Sequence, residues 1–335
     1  MRTGTRSVVT RGAKLWRSIA GEGTTFERFM RRRLLRLDRK TEITKVGNAT
    51  IHAQSNAMVI QGSKGGPKKG IYMVGGCDLP PLFLASPKMA EALDSGTVAL
   101  DRPTAWLGSA TSGQLLQTFD DVPMEVKKEM SQRLKLSRNF FTGAFFEPTF
   151  TPNRLEEFGE FPKDLVVMSI GSDLVRSLHR HREYGFLVDL GGWWLNQSLE
   201  KAVKDMDTLK WFKSTFEQVG RIPLEDYVNN LETIVDRIHN DIGAKVMILN
   251  TLVVDPLKRE HNYQLHNQEH VTRKREFNIA LAELSAKKGF SIVDVDRTLK
   301  GYGVEEATDF AHFPVESKQP VADEAFRIMQ ELEIF

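Results

Sequence analysis

The chain has 335 residues, a net charge of +2, and 41% hydrophobic against 27% charged residues. These are the proportions of an ordinary soluble protein, long enough for one large domain or two small ones. No apolar run reaches the roughly 18 residues of a membrane span, no secretory signal with an apolar h-region is present, and one cysteine cannot make a disulfide within the chain. A reducing compartment is the expectation, cytoplasmic in the simplest case.

The charge is unevenly placed. Residues 1–45 hold thirteen Lys and Arg against four acids, a net of +9, which leaves about −7 for residues 46–335. Basicity therefore belongs to an arm, and the body gives no ground for nucleic-acid binding. The stretch "MRTGTRSVVTRGAKLWRSIA" has five basic residues and no acid. That is the composition of an organellar transit peptide, and equally of a plain extension. "FERFMRRRLLRLDRK" sets Phe26, Phe29, Met30, Leu34 and Leu37 near helical spacing beside Arg31, Arg32, Arg33 and Arg36. It predicts an amphipathic helix that contacts a membrane surface or a partner, or docks on the body. Residues 61–70, "QGSKGGPKKG", read as a linker or exposed loop. The expected organisation is a basic arm over 1–60, this linker, and a folded domain over 71–335.

From residue 71 short apolar runs alternate with helical patterns, the signature of βα units on a parallel sheet. "IYMV" is the first predicted strand, with "PKMAEAL" in the helix behind it. "TAWLG" at 104–108 is the second. "LVVMSIG" at 165–171 is the third, apolar throughout and so buried on both faces. "LEDYVNNLETIVDRIH" places Leu224, Val228, Leu231, Ile234, Val235 and Ile238 on one stripe, with Gly243 as its stop. "KVMILNTLVV" is the fourth strand, a helix covers about 271–288, "FSIVDV" is the fifth strand, and "PVADEAFRIMQEL" is the last helix. The predicted class is α/β: a three-layer α/β/α sandwich on a five-stranded, mostly parallel, flavodoxin-like sheet. Aromatic-rich residues 117–163 and 176–220 are insertions after the second and third strands, on the sheet edge where such folds bind ligands. Their aromatics line a pocket or pack the insertions onto the body. Within them "RSLHRHREYG" reads as a solvated helix end.

Candidate chemistry gathers where strands end. Gly75 and Gly76 permit a sharp turn into Cys77, and a thiol at such a turn is exposed to nearby amides that favour the thiolate. Cys77 is thus placed as a nucleophile is placed, or as a small buried residue under a loop. Among eight histidines, His312 in "TDFAHFP" stands out, because Asp309 three residues earlier can orient it before the last helix.

The ordered set "VGGCDL", "SATSG", "SIGSDL" and "DFAHF" resembles the four sequence blocks of the SGNH, or GDSL, hydrolase superfamily, over about residues 68–335. The resemblance puts Cys77 in the nucleophile slot, similar to relatives whose turns read Gly-Ser-Cys or Gly-Asn-Cys. It puts Gly113 in the second-block glycine slot, and Asp309 with His312 in the final pair. Gly76, Asp78, Gly113, Ser172 and Asp173 become oxyanion or substrate residues. Two departures stand out: Asp173 occupies the slot of the oxyanion asparagine, and Gly76 replaces the usual acid before the nucleophile. A carboxylate facing an oxyanion repels it, and one lost donor costs about 3 kcal/mol.

The resemblance implies an acyl hydrolase or acyltransferase acting through a Cys77 thioester, with no required cofactor. The acyl donor is acetyl-CoA or another acyl donor, and the substrate or acceptor a small molecule or carbohydrate. A degenerate SGNH-like protein that binds a ligand or partner is the alternative. Two further readings attach to residues 258–275. His266, Glu269 and His270 match a His-x-x-Glu-His zinc pattern, with Glu324 as third ligand, and Lys258, Arg259 and Arg273 with Lys274 and Arg275 form a possible anion-binding set or a solvated charged surface.

Overall fold

The computed structural model describes residues 42–46, 48–53, 57–74, 79, 85–101, 111–117, 122–134, 157–189, 198–203, 205–254, 268–305, 313 and 317–335. Three strands open it: β1 (Glu42–Val46), β2 (Ala49–Ala53) and β3 (Ala57–Gln61). They form an antiparallel meander in which Val46 pairs with Ala49, leaving a two-residue hairpin connection. There follow β4 (Lys68–Val74), α1 (Pro87–Asp94), β5 (Thr97–Asp101), α2 (Ser112–Leu116), α3 (Met124–Arg133), β6 (Leu165–Ser169) and α4 (Gly171–Val175). A second group holds β7 (Leu178–His181), β8 (Leu187–Val188), α5 (Leu199–Ala202), α6 (Met206–Thr215) and β9 (Phe216–Gly220). The chain closes with α7 (Leu224–Arg237), β10 (Lys245–Leu249), α8 (Gln268–Lys288), β11 (Ser291–Val293), α9 (Val295–Gly301) and α10 (Lys318–Glu331).

The main sheet has eight strands in the order β1-β2-β3-β5-β4-β6-β10-β11. The expected five-stranded, mostly parallel sheet is corrected to a larger mixed one. Its last five strands are parallel to one another and wind in the doubly wound order 2-1-3-4-5. β3 then joins β5 antiparallel and carries β1 and β2 with it. Residues 42–46, 49–53 and 57–60, expected in the arm, belong to the sheet instead. Lys68–Gly70, expected in a linker, already pair as β4, and the Gly70 amide donates to Asp164 Oδ2 at 2.8 Å. The strand beside β4 is Thr97–Asp101 and not 104–108, which fall outside the described residues along with the predicted helix at 26–40.

Two cores sandwich the sheet because side chains alternate along each strand. Tyr72, Val74, Val166, Met168, Val246 and Ile248 meet α7 and α8 on one face. Ile71, Met73, Leu165, Val167, Met247 and Leu249 meet α1, α9 and α10 on the other. The layers are therefore helix, sheet, helix. α7 keeps the predicted stripe, continues as a π turn over Ile238–Ile242, and stops at Gly243, whose φ of 74° is the left-handed conformation glycine accepts without strain.

The expected insertion at 176–220 forms a separate three-stranded sheet, β8-β7-β9. "RSLHRHREYG", expected as a helix end, contains β7. Leu178 and His181 are buried, while the charged Arg180 and Arg182 face Glu217. Phe186, Val188, Phe212 and Phe216 form this sheet's own core with Val122, Val126 and Met130. Of the insertion aromatics that are described, then, Phe186, Phe212 and Phe216 are packing residues; those at 139–150 and 193–194 lie outside the described residues.

Candidate functional site

In a doubly wound sheet the carboxyl ends of the first and third parallel strands mark the switch point, where connections leave in opposite directions and a crevice opens. Here these strands are β4 and β6, paired through Val74 and Met168. Beyond Val74 the sequence continues Gly75-Gly76-Cys77-Asp78; all four lie outside the described residues, as do Lys258, Arg259, His266, Asp309 and His312. Beyond Ser169 the chain turns at Ile170 into α4, which carries Ser172 and Asp173, both buried.

α2 is brought to the same place. Thr111 caps it: its Oγ1 accepts from the Gln114 amide at 3.2 Å, while the Gln114 side chain accepts from the Thr111 amide at 3.1 Å. The next residue ties α2 to α4. The Ser112 amide donates to Asp173 Oδ1 at 2.8 Å and Oδ2 at 3.0 Å, and Ser112 Oγ donates to Oδ1 at 2.7 Å. Asn230 of α7 donates to Ser112 Oγ at 3.4 Å. Gly113 therefore stands beside Asp173, and the second and third sequence blocks meet.

Asp173 is only 3% exposed. Burial pushes its pKa up to about 6, against the opposing pull of the Ser112 hydroxyl, the Ser112 amide and Arg273. Both carboxylate oxygens are taken up by Ser112, so this group fastens α2 rather than facing open solvent. The Tyr227 ring lies fully buried nearby, its hydroxyl without a hydrogen-bond partner among the described residues and its pKa raised by burial and by Asp173.

Arg273 is corrected from an anion-binding residue to a structural clamp. Its guanidinium donates to the carbonyls of Asp173 at 2.8 Å, Leu174 at 3.1 Å and Ile222 at 2.6 Å, and it lies 4.2 Å over the Phe277 ring. The Asp173 and Leu174 carbonyls belong to the last turn of α4, where a helix has acceptors to spare and a cation is favoured. Lys274 is likewise interior and donates to the Leu252 carbonyl at 3.1 Å.

Of the zinc pattern, His266 lies outside the described residues, while His270 in α8 is 1% exposed. Glu324 is held by Arg327 at 2.8 and 2.9 Å, which draws its carboxyl below the usual range. Among the described residues no three His, Cys, Asp or Glu side chains are placed to hold a metal. None of the described helices is long and apolar enough to cross a membrane.

Sequence reasoning missed Ser112, Gln117 and Asn230. The capping pair Thr111 and Gln114, spaced as Thr-x-x-Gln, was a readable signal for the start of α2. Nothing in the sequence pointed to Asn230, which lies 118 residues from its partner.

No family model matches the chain, and no curated protein matches it. Solved structures do. One is a protein from Slackia heliotrinireducens assigned to the SGNH hydrolases, 13% identical over 78% of this chain and 99% of that one, with a TM-score of 0.40. A lipase/acylhydrolase from Enterococcus faecalis is 13% identical over 78% of this chain and 96% of that one, also at 0.40. An acetylxylan esterase from Geobacillus stearothermophilus is 9% identical over 80% and 96%, at 0.38.

Proposed function

We propose that the protein is an SGNH-like acyl-ester hydrolase or acyltransferase that works through a thioester on Cys77. The observation that carries this reading is the bonding of Ser112 to Asp173, which assembles two of the four blocks at the sheet's switch point. The same bonds support the reading at the asparagine slot, where both carboxylate oxygens of Asp173 accept from Ser112.

In the proposed reaction His312, oriented by Asp309, takes the thiol proton of Cys77. The thiolate attacks the acyl carbonyl and a C–S bond forms. Amides of Cys77 and Gly113 hold the oxyanion; Gly113 is the second residue of α2, where a helical N–H has no acceptor within the helix. The ester C–O bond breaks and the leaving alkoxide receives the proton from His312. Water, or an acceptor hydroxyl or amine, then attacks the thioester carbonyl as His312 removes its proton, the C–S bond breaks, and the Cys77 sulfur takes that proton back from His312. Ser172 and Asp78 border the acyl group. The substrate class is a small-molecule or carbohydrate ester, with acetyl-CoA as a possible acyl donor in the transfer variant, and no resident cofactor takes part.

The test is the pH dependence of alkylation of Cys77 by iodoacetamide, read by intact mass in the native protein and in His312→Ala. A single cysteine gives the signal one source. Fast labelling below pH 7 that slows in the variant supports the reading. A midpoint near the free-thiol value of about 8.5, unchanged by the substitution, overturns it in favour of a ligand-binding SGNH-like protein.

A further inference from the structure

The small sheet reaches Gly113 through the side chain of Leu187. A Cβ built on Gly113 would lie 2.8 Å from Leu187 Cδ1, with Asn230 Nδ2 next at 3.6 Å. The Leu187 methyl thus rests directly on Gly113. Leu187 opens β8, and its neighbour Val188 is buried in the small sheet's core. Side chains alternate along a strand, so Leu187 faces the other way, out of that core and toward α2, where it remains partly exposed.

Its backbone is held on both sides. Gln117, buried at the end of α2, donates Nε2–H to the Leu187 carbonyl at 3.0 Å and accepts from the Leu187 amide through Oε1 at 2.7 Å. A side-chain amide here pairs with the strand as another strand would. Two residues on, Asp189 forms a buried ion pair with Arg176, which directly follows α4. The hairpin is therefore pinned to the segment that carries Gly113 and to the segment that carries Ser172 and Asp173.

Resting on the reading of Gly113 as an oxyanion donor, we propose that Leu187 is the wall of the acyl pocket and sets the size of the group accepted beside Gly113, with Gln117 as its positioning residue. An apolar methyl against the oxyanion glycine leaves room for a short acyl chain and collides with a longer one. Discrimination of this kind in an apolar pocket amounts to about tenfold or more per methylene.

The test measures kcat/KM for p-nitrophenyl acetate, butyrate and hexanoate in the full-length protein. Leu187→Ala is expected to raise the hexanoate-to-acetate ratio by about tenfold or more, and Leu187→Phe to lower it. A folding defect would depress all three esters alike. Gln117→Ala should move the ratio as Leu187→Ala does, and Gln117→Glu, which keeps the acceptor for the Leu187 amide, should move it less. The same variants are also read by alkylation of Cys77 with iodoacetamide and with its bulkier N-benzyl analogue, which needs no ester turnover. There the benzyl-to-unsubstituted rate ratio rises in Leu187→Ala. Unchanged ratios in both Leu187 variants of an active protein overturn this inference alone. A wild-type protein with no turnover of any ester, and with Cys77 labelling indifferent to His312→Ala, overturns the acyl-transfer reading beneath it.

Discussion

The Ser112 amide lies 2.8 Å from Asp173 Oδ1, and with the hydroxyl bond from the same serine it joins the start of α2 to α4 across 61 residues of sequence. Removing the carboxylate leaves two buried donors on Ser112 with nothing equivalent to accept them. Asp173→Ala should lower stability by about 2–4 kcal/mol, at 1–3 kcal/mol per unsatisfied group and with partial relaxation. Urea denaturation measures it, and a loss below about 1 kcal/mol would contradict the fastening role.

The same carboxyl has a pH signature. Its folded pKa is raised by burial to about 6, above the ordinary value of 3.8. The folded state therefore binds the proton more tightly than the unfolded state, and the associated stability is present below about pH 4 and lost as pH rises through 6. Carboxyls such as those of Glu324 and Asp205 are shifted downward and act in the opposite sense, so the whole protein hides the effect. The difference in unfolding free energy between wild type and Asp173→Asn isolates it. That difference should grow in favour of wild type by on the order of 2–3 kcal/mol between pH 7 and pH 4. A flat difference would mean that Asp173 does not titrate there.

Gly113 and Leu187 should be coupled. Gly113→Ala puts a methyl 2.8 Å from Leu187 Cδ1, and the leucine must rotate or the hairpin must shift. The single variant should lose stability, and adding Leu187→Ala should recover it, with an interaction of about 0.5–3 kcal/mol in the double-mutant cycle. Additive behaviour would show that the two do not touch in solution.

Arg273 makes three bonds to main-chain carbonyls, and only a guanidinium fork reaches them together. Arg273→Met should cost about 3 kcal/mol, with Arg273→Lys recovering less than half of that. Inorganic phosphate should stabilise wild type and Arg273→Lys equally by thermal shift. A phosphate-dependent gap between them would restore an anion-binding role.

The ion pair between Arg176 and Asp189 is nearly sealed from solvent, at 3% and 1% exposure. Losing one member strands the other charge, so Arg176→Met or Asp189→Leu should each cost about 3–5 kcal/mol, and the double variant less than either. Chemical denaturation distinguishes this from a replaceable contact, for which the double loss would equal the sum of the single ones.

What could be read from the sequence follows from how local each signal is. The apolar run 165–169 and the stripe of α7 with its terminal glycine emerged where expected, because burial on both faces and on one face leave different marks. Residues 42–61 were hidden by their neighbourhood. Their alternation is diluted by Ala, Thr and His, and the basic stretch before them suggested an arm, although Gly47-Asn48 is a hairpin signal. Thr97–Asp101 lost to a nearby run richer in aromatic residues. Arg273 and Lys274 were read as surface because charge usually means solvent; their true partners are carbonyls on distant segments, which no local pattern announces. The pairing of the second and third blocks was available only through the likeness of their order to a known family.

The meander β1–β3 has a practical consequence for anyone preparing the protein. It covers the outer edge of β5 along its whole length, from Ala57 opposite Asp101 to Gln61 opposite Thr97. A shortened version begun at residue 62 or 71, the natural choice if 61–70 were a linker, would strip that cover and leave β5 with a row of unpaired amides and carbonyls. Such an edge recruits other chains, so the trimmed protein should come out of solution as aggregates, whereas a version begun just before Glu42 keeps the edge closed and should remain dispersed.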